Sequence, residues 1–192
     1  MSTVRYAETA HPLVDLLNER WSPRSFDATA EISEAQLTAI LEAARWAPSA
    51  ANFQPRRFIV ATRGSLAFDQ VVSTLAEGNQ PWAVRASALI VGVAVTTSPE
   101  GAAYRWAEYD LGQAIAHLTV QAHAEGLHVH QIGGFDPAMA SDLFSLDAHL
   151  VPVSVSAIGF VADAEQLGDR FAARELAVRS RLTLDEIVLH RS

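Results

Sequence analysis

The chain contains no cysteine, which excludes disulfides, thiol nucleophiles and Cys-ligated metals together. Lysine is absent too, so all 14 basic residues are arginines, planar forks suited to bidentate contact with phosphate or carboxylate. No stretch approaches the roughly 20 apolar residues that a membrane span requires, and residues 1–11 hold no apolar run. Neither a signal peptide nor a membrane segment is expected, and a cytoplasmic location follows as the default. The net charge of −8 argues against a nucleic-acid surface. It does not argue against one small anion, because a few converging arginines outweigh a screened average charge.

What is present is globular. Of the 192 residues, 49% are hydrophobic and 19% charged, enough to build a core in one domain spanning 1–192. There is no internal repeat, low-complexity tract or linker. Residues 11–20 read as a short helix. Ser33 followed by Gln36 reads as a capping box, opening a helix whose Leu37, Ile40, Leu41 and Ala44 share a face until Pro48. Residues 57–62, 87–95, 127–132 and 153–161 read as strands, and 186–190 as a last one. The continuous apolar run 87–95 predicts a strand covered on both faces. Helices are predicted over 66–76 and 104–125, with Gly126 as left-handed terminator, and Asp136-Pro137 begins a further one. Helices alternate with strands, so both faces of a central sheet are covered.

Four segments are poorly explained as core. Arg20-Trp21-Ser22-Pro23-Arg24 brackets a serine with two arginines beside a helix end. Residues 47–55 form a loop of small and amide side chains, including Pro48, Ser49, Ala50 and Asn52. Gly133-Gly134 follows a strand and leaves backbone N–H groups open. Arg179-Ser180-Arg181 is a second arginine pair. Arginine forks suit a phosphate, and unhindered N–H groups suit the ring heteroatoms of a flavin. Spacing alone leaves FMN and other phosphorylated ligands open. The histidines 117, 123, 128 and 130 raise a metal site as a competing reading, with Glu125 as a nearby carboxylate, but packed neutral imidazoles explain them better. Ser49 lacks the Gly-x-Ser-x-Gly elbow of a nucleophile.

In order along the chain, residues 20–26, 41–55, 126–127, 133–136 and 179–182 resemble the signatures of the nitroreductase family, from about Leu16 to the C-terminus. The 41–55 segment, Leu-Glu-Ala-Ala-Arg-Trp-Ala-Pro-Ser-Ala-Ala-Asn-Phe-Gln-Pro, carries the most specific match. The resemblance implies an α+β, three-layer fold: a mixed, mostly antiparallel sheet between helices, in an intertwined homodimer with FMN at the interface. It assigns the phosphate to Arg20, Arg179 and Arg181 with Trp21 and Ser22 nearby, and places Arg24 toward the ribityl chain and flavin N1/O2. Gly133 and Gly134 present N–H groups to N5 and O4. Pro48, Ser49, Ala50 and Asn52 come from the partner subunit, and Asn79 serves as the flavin-ring amide. The implied activity is NAD(P)H-dependent reduction of a small electrophile, nitroaromatic, quinone or enone, by ping-pong hydride transfer. A flavin-binding sensor or storage protein is the alternative. No side chain is nominated as a general acid, since water can deliver protons. The chain has no Gly-x-Gly-x-x-Gly after a strand, consistent with nicotinamide as a transient reductant. Three departures stand out: Arg56 replaces the common Trp after Gln54-Pro55, Arg179 stands where the C-terminal phosphate pair frequently has Lys, and the 96–103 connection is too short for lid helices. The last predicts an open site, with Tyr104 and Trp106 either bordering it or simply packing.

Overall fold

The computed structural model describes residues 5–98 and 100–191. Its sheet has four strands, β1 (Arg56–Thr62), β2 (Ala88–Val95), β3 (His128–Ile132) and β4 (Leu150–Gly159), in the order β1-β2-β4-β3. All three pairings are antiparallel. Every residue of β2 is buried, as its apolar run requires of a central strand.

Alternation along β2 divides the core. Leu89, Val91 and Val93 face one layer with Val155 and Ala157 of β4, meeting Phe68 and Val71 of α3 (Leu66–Thr74) and Trp82 of α4 (Gln80–Ala83). Ile90 faces the other, with Val129 and Ile158, against α2 (Glu34–Arg45) and α5 (Ala107–Ala124). Helices therefore cover both faces, and each fully buried large side chain contributes roughly 1.5–3 kcal/mol. Gly92 permits this close packing: a Cβ there would lie 2.9 Å from Ile115 Cδ1 of α5.

Local signals hold where chemistry is local. Ser33 and Gln36 form the reciprocal capping box of α2. Gly126 terminates α5 at φ +77°, and Asp136 caps α6 (Pro137–Leu143) through the Met139 N–H. Two expectations change. Helix α1 (Asp15–Glu19) is shorter than the 11–20 reading and has no side-chain cap. The 186–190 strand is replaced by α8 (Leu184–Ile187), because Thr183 and Glu186 cap each other reciprocally. Ahead of it lies α7 (Asp169–Leu176). No helix among the described residues is long and apolar enough to cross a membrane.

Candidate functional site

The segment 20–26 lies beside β3. Trp21, Pro23 and Ser25 are buried while Arg20, Ser22 and Arg24 are half-buried, so the three polar residues are the more exposed of each alternating pair. Trp21 meets His128 edge-on at 6.0 Å, and His130 Nδ1 donates to the Pro23 carbonyl at 2.9 Å. Trp82 lies against the His130 ring, centroids 4.6 Å apart, and the Arg24 guanidinium sits 5.9 Å from the Trp82 ring centre. Burial first, then the nearby charges of His123 and Arg20, pulls the His128 imidazole down to about 4. Burial and Arg24 do the same to His130, also to about 4, so both rings are neutral near pH 7.

The C-terminal segment closes this face. Arg179 donates to the carbonyls of Arg5 (2.6 Å) and Asn18 (2.8 Å). Arg5 reaches back to the carbonyls of Glu175 and Ala177 and lies over the Trp21 ring. Arg20, Ser22, Arg179 and Arg181 consequently line one cleft of roughly 290 Å³. Arg20 makes no side-chain hydrogen bond among the described residues, and Arg181 donates only to the Ser180 carbonyl at 2.7 Å. Burial and then the Arg181 charge lower the Arg20 pKa; burial and the charges of Arg20, Arg181 and Arg5 lower that of Arg179. Converging guanidinium groups without a counter-ion are a receptor for an anion. The Glu175 carboxylate, 3% exposed, is already taken by the backbone N–H groups of Arg24 and Ser25.

At the far end of β3, Gly133 and Gly134 are exposed, and their N–H groups form no hydrogen bond among the described residues. Asn79 Nδ2 donates to the Gly134 carbonyl at 3.0 Å. A Cβ on Gly134 would lie 2.9 Å from that same nitrogen, so glycine makes room for the amide. Arginine cleft, Arg24, free N–H pair and Asn79 thus follow one another along a single sheet edge.

Pro48, Ser49, Ala50 and Asn52 stand elsewhere. Their loop enters β1, at the same end of the sheet as Gly133 but on the opposite edge. Three strand spacings, roughly 14 Å, intervene. The loop is contorted, with Ala51, Asn52 and Gln54 at φ 48°, 57° and 51°. Asp110 accepts from the Ala50 N–H at 3.0 Å, and Ser49 Oγ from the Gln54 N–H at 3.0 Å. Arg56, 8% exposed, donates to the carbonyls of Arg45 and Ala47. Tyr104 stacks on Phe53 beside this loop, centroids 4.9 Å apart, and Trp106 is exposed with its edge toward Tyr109. Among the described residues no three His, Asp or Glu side chains are grouped to hold a metal. His123 and His128 instead pack edge to face at 4.9 Å.

Glu175, Asp110, Arg5 and Trp82 were not singled out by sequence reasoning. Trp82 had a signal, an aromatic directly after the Gly-Asn-Gln-Pro run of residues 78–81, but the others act across long separations with none.

Fold and cleft define an α+β protein with an arginine-lined cleft beside the open edge of its sheet. The chain belongs to the Nitroreductase family, whose family model matches residues 17–76 and 63–160. A Mycolicibacterium smegmatis protein, "Uncharacterized 15.4 kDa protein in ask 5'region", is 36% identical over 139 residues, covering 68% of this chain and 92% of that one. "Putative NAD(P)H nitroreductase YdgI" of Bacillus subtilis is 28% identical over 190 residues, covering 78% and 88%. A solved structure described as "the oxidoreductase containing FMN" superposes with a TM-score of 0.90 at 33% identity, covering 98% of this chain and 96% of that one.

Proposed function

We propose that the protein is an FMN-dependent oxidoreductase that uses NAD(P)H to reduce a small electrophile of nitroaromatic, quinone or enone type. The observation that carries this reading is the cluster of Arg20, Arg179 and Arg181 at one end of β3, without a carboxylate counter-ion among the described residues, with the unbonded Gly133 and Gly134 N–H groups at the other. The residues fit the cofactor. Three guanidinium groups without a counter-ion match a phosphate dianion, with Trp21 and Ser22 at their side. Gly133, Gly134 and Asn79 offer N–H donors where ring heteroatoms need them, and Arg24 lies between, on the N1/O2 side. The FMN-containing relative, at 33% identity over nearly the whole chain, supports the same assignment.

When bound, the flavin supplies hydride acceptance from the nicotinamide and hydride donation to the acceptor at N5. The chain supplies position and field. Arg20, Arg179 and Arg181 anchor the phosphate end, the two glycine N–H groups stabilise negative charge on the ring, and Arg24 opposes charge gathering near N1. Pro48, Ser49, Ala50 and Asn52 reach this edge from a second copy, because within one chain they lie across the sheet. Exposed apolar residues at the C-terminus, Leu182, Leu184, Ile187 and Leu189, favour such a homodimer.

Arg20→Ala and Arg181→Ala should each weaken FMN binding by roughly 1.5–3 kcal/mol, the worth of charge-assisted hydrogen bonds. Unchanged FMN affinity in both variants would remove the phosphate assignment. Anaerobic stopped-flow mixing with NADH and NADPH tests turnover: bleaching of the flavin band supports the reductase, and a stable band with both leaves a flavin-binding sensor or store.

A further inference from the structure

Within the arginine cleft one acidic side chain behaves unlike an ion-pair partner. Glu175 is 3% exposed and surrounded by cations, yet its oxygens accept from backbone: Oε1 from the Ser25 N–H (2.8 Å) and the Arg24 N–H (3.0 Å), and Oε2 from the Arg24 N–H (2.9 Å). No guanidinium nitrogen among the described residues lies within ion-pair distance of it. Its own carbonyl is held by Arg5, whose carbonyl in turn is held by Arg179. The carboxylate therefore bolts the 20–26 segment to α7 and the arginines that follow, across 150 residues of sequence. It does so without an ion-pair contact to a guanidinium group among the described residues, although its charge favours the neighbouring Arg24 cation.

From this geometry, and resting on the FMN reading above, we infer that Glu175 is a positioning residue for cofactor binding. It sets the register between the 20–26 segment and the C-terminal pair, Arg179 and Arg181, so that Arg20, Arg179 and Arg181 converge on one phosphate. A salt bridge in the same place would consume the charge the cleft needs. A carboxylate spent on backbone amides fixes the loop and takes up none of the guanidinium donors.

The sign of one substitution separates this from simple electrostatics. Glu175→Gln removes a negative charge beside an anion site, so a purely electrostatic role predicts tighter FMN binding. Positioning predicts the reverse: FMN affinity falls by at least about tenfold in Glu175→Ala. It falls by less in Glu175→Gln, which keeps one acceptor oxygen. Fluorescence titration of FMN into the full-length flavin-free chain reads both, with Arg20→Ala as reference. Hydrogen exchange on the flavin-free protein gives a readout independent of ligand: the Arg24 and Ser25 amides should exchange faster in the Gln variant while β2 stays protected. FMN bound equally or more tightly by Glu175→Gln, with Arg20→Ala still impaired, overturns this inference alone. Unchanged protection at both amides overturns it as well. FMN rejected by the unaltered chain overturns the FMN reading, and the inference with it.

Discussion

Beside β3, the Arg20 guanidinium and the Gly133 and Gly134 N–H groups have no hydrogen-bond partner among the described residues; in the 48–55 loop, on the opposite edge, polar groups are tied down. Asp110 holds the Ala50 N–H, Ser49 holds the Gln54 N–H, and Arg56 holds two carbonyls of the helix end. Both regions carry arginine, with opposite meanings. Arg56 is internal scaffolding for a contorted turn, whereas Arg20 lines a cleft and has no hydrogen-bond partner among the described residues, as the proposed phosphate role requires. Polar groups with no protein partner remain open to water or to a ligand, and satisfied polarity in a loop holds its shape.

The sharpest break of this contrast is on the scaffolding side. Asp110 is 2% exposed, and Asp110→Ala strands the Ala50 N–H and removes a favourable charge near buried Arg56. A loss of about 2–4 kcal/mol is expected in urea unfolding, the worth of a broken buried polar network. A change under about 0.5 kcal/mol would show that the loop does not depend on its buttress.

Acid should act on the ligand side. His128 and His130 are held near 4, below their ordinary 6.5, by burial. Below pH 6.5 the unfolded chain binds protons that the folded chain refuses, so stability is full above that value and declines as pH falls toward 4. Each ring contributes a slope of at most about 1.4 kcal/mol per pH unit. Unfolding series at pH 7, 5.5 and 4.5 should show the decline, and His130→Gln should flatten it. An unchanged slope in that variant would place the sensitivity elsewhere.

What the sequence made legible divides along similar lines. Caps and breaks are written in adjacent residues, so Ser33 with Gln36, Gly126 and Asp136 were readable, and β2 announced its burial by an unbroken apolar run. The family signatures named the cleft residues in advance, and the structure draws Arg20, Arg179 and Arg181 together from both ends of the chain. The 186–190 segment misled because its apolar content spoke for a strand while the Thr183–Glu186 box just before it spoke for a helix. The local hydrogen bonds won. Glu175 and Asp110 were illegible because each works on a backbone amide 60 or more residues away. A lone acidic residue in a polar stretch carries no mark of its target.

On the glycine end of β3 a smaller effect is expected. Gly134→Ala puts a methyl 2.9 Å from Asn79 Nδ2. The amide can swing aside, losing its bond to the Gly134 carbonyl. The cost to the fold is about 1 kcal/mol, with a clear weakening of FMN retention. Asn79→Ala should weaken retention by a similar factor. FMN held normally by both would detach this end of the edge from the cofactor.

Arg20 yields the smallest effect on stability and one of opposite sign. Burial and the neighbouring Arg181 charge both lower its pKa, so its positive form is disfavoured by folding in the absence of an anion. Arg20→Ala should leave the flavin-free protein as stable as before or raise it, by no more than about 1 kcal/mol at half-buried exposure. Added salt should shrink the difference by screening. On the proposed reading the same substitution should weaken FMN binding, so the variant is expected to trade ligand for fold. Paired melts with and without FMN read both halves: the flavin-free midpoint holds or rises while the FMN-induced shift shrinks. A flavin-free protein clearly destabilised by Arg20→Ala would mean that this arginine, like Arg56, is structural, and the contrast between the two edges would collapse.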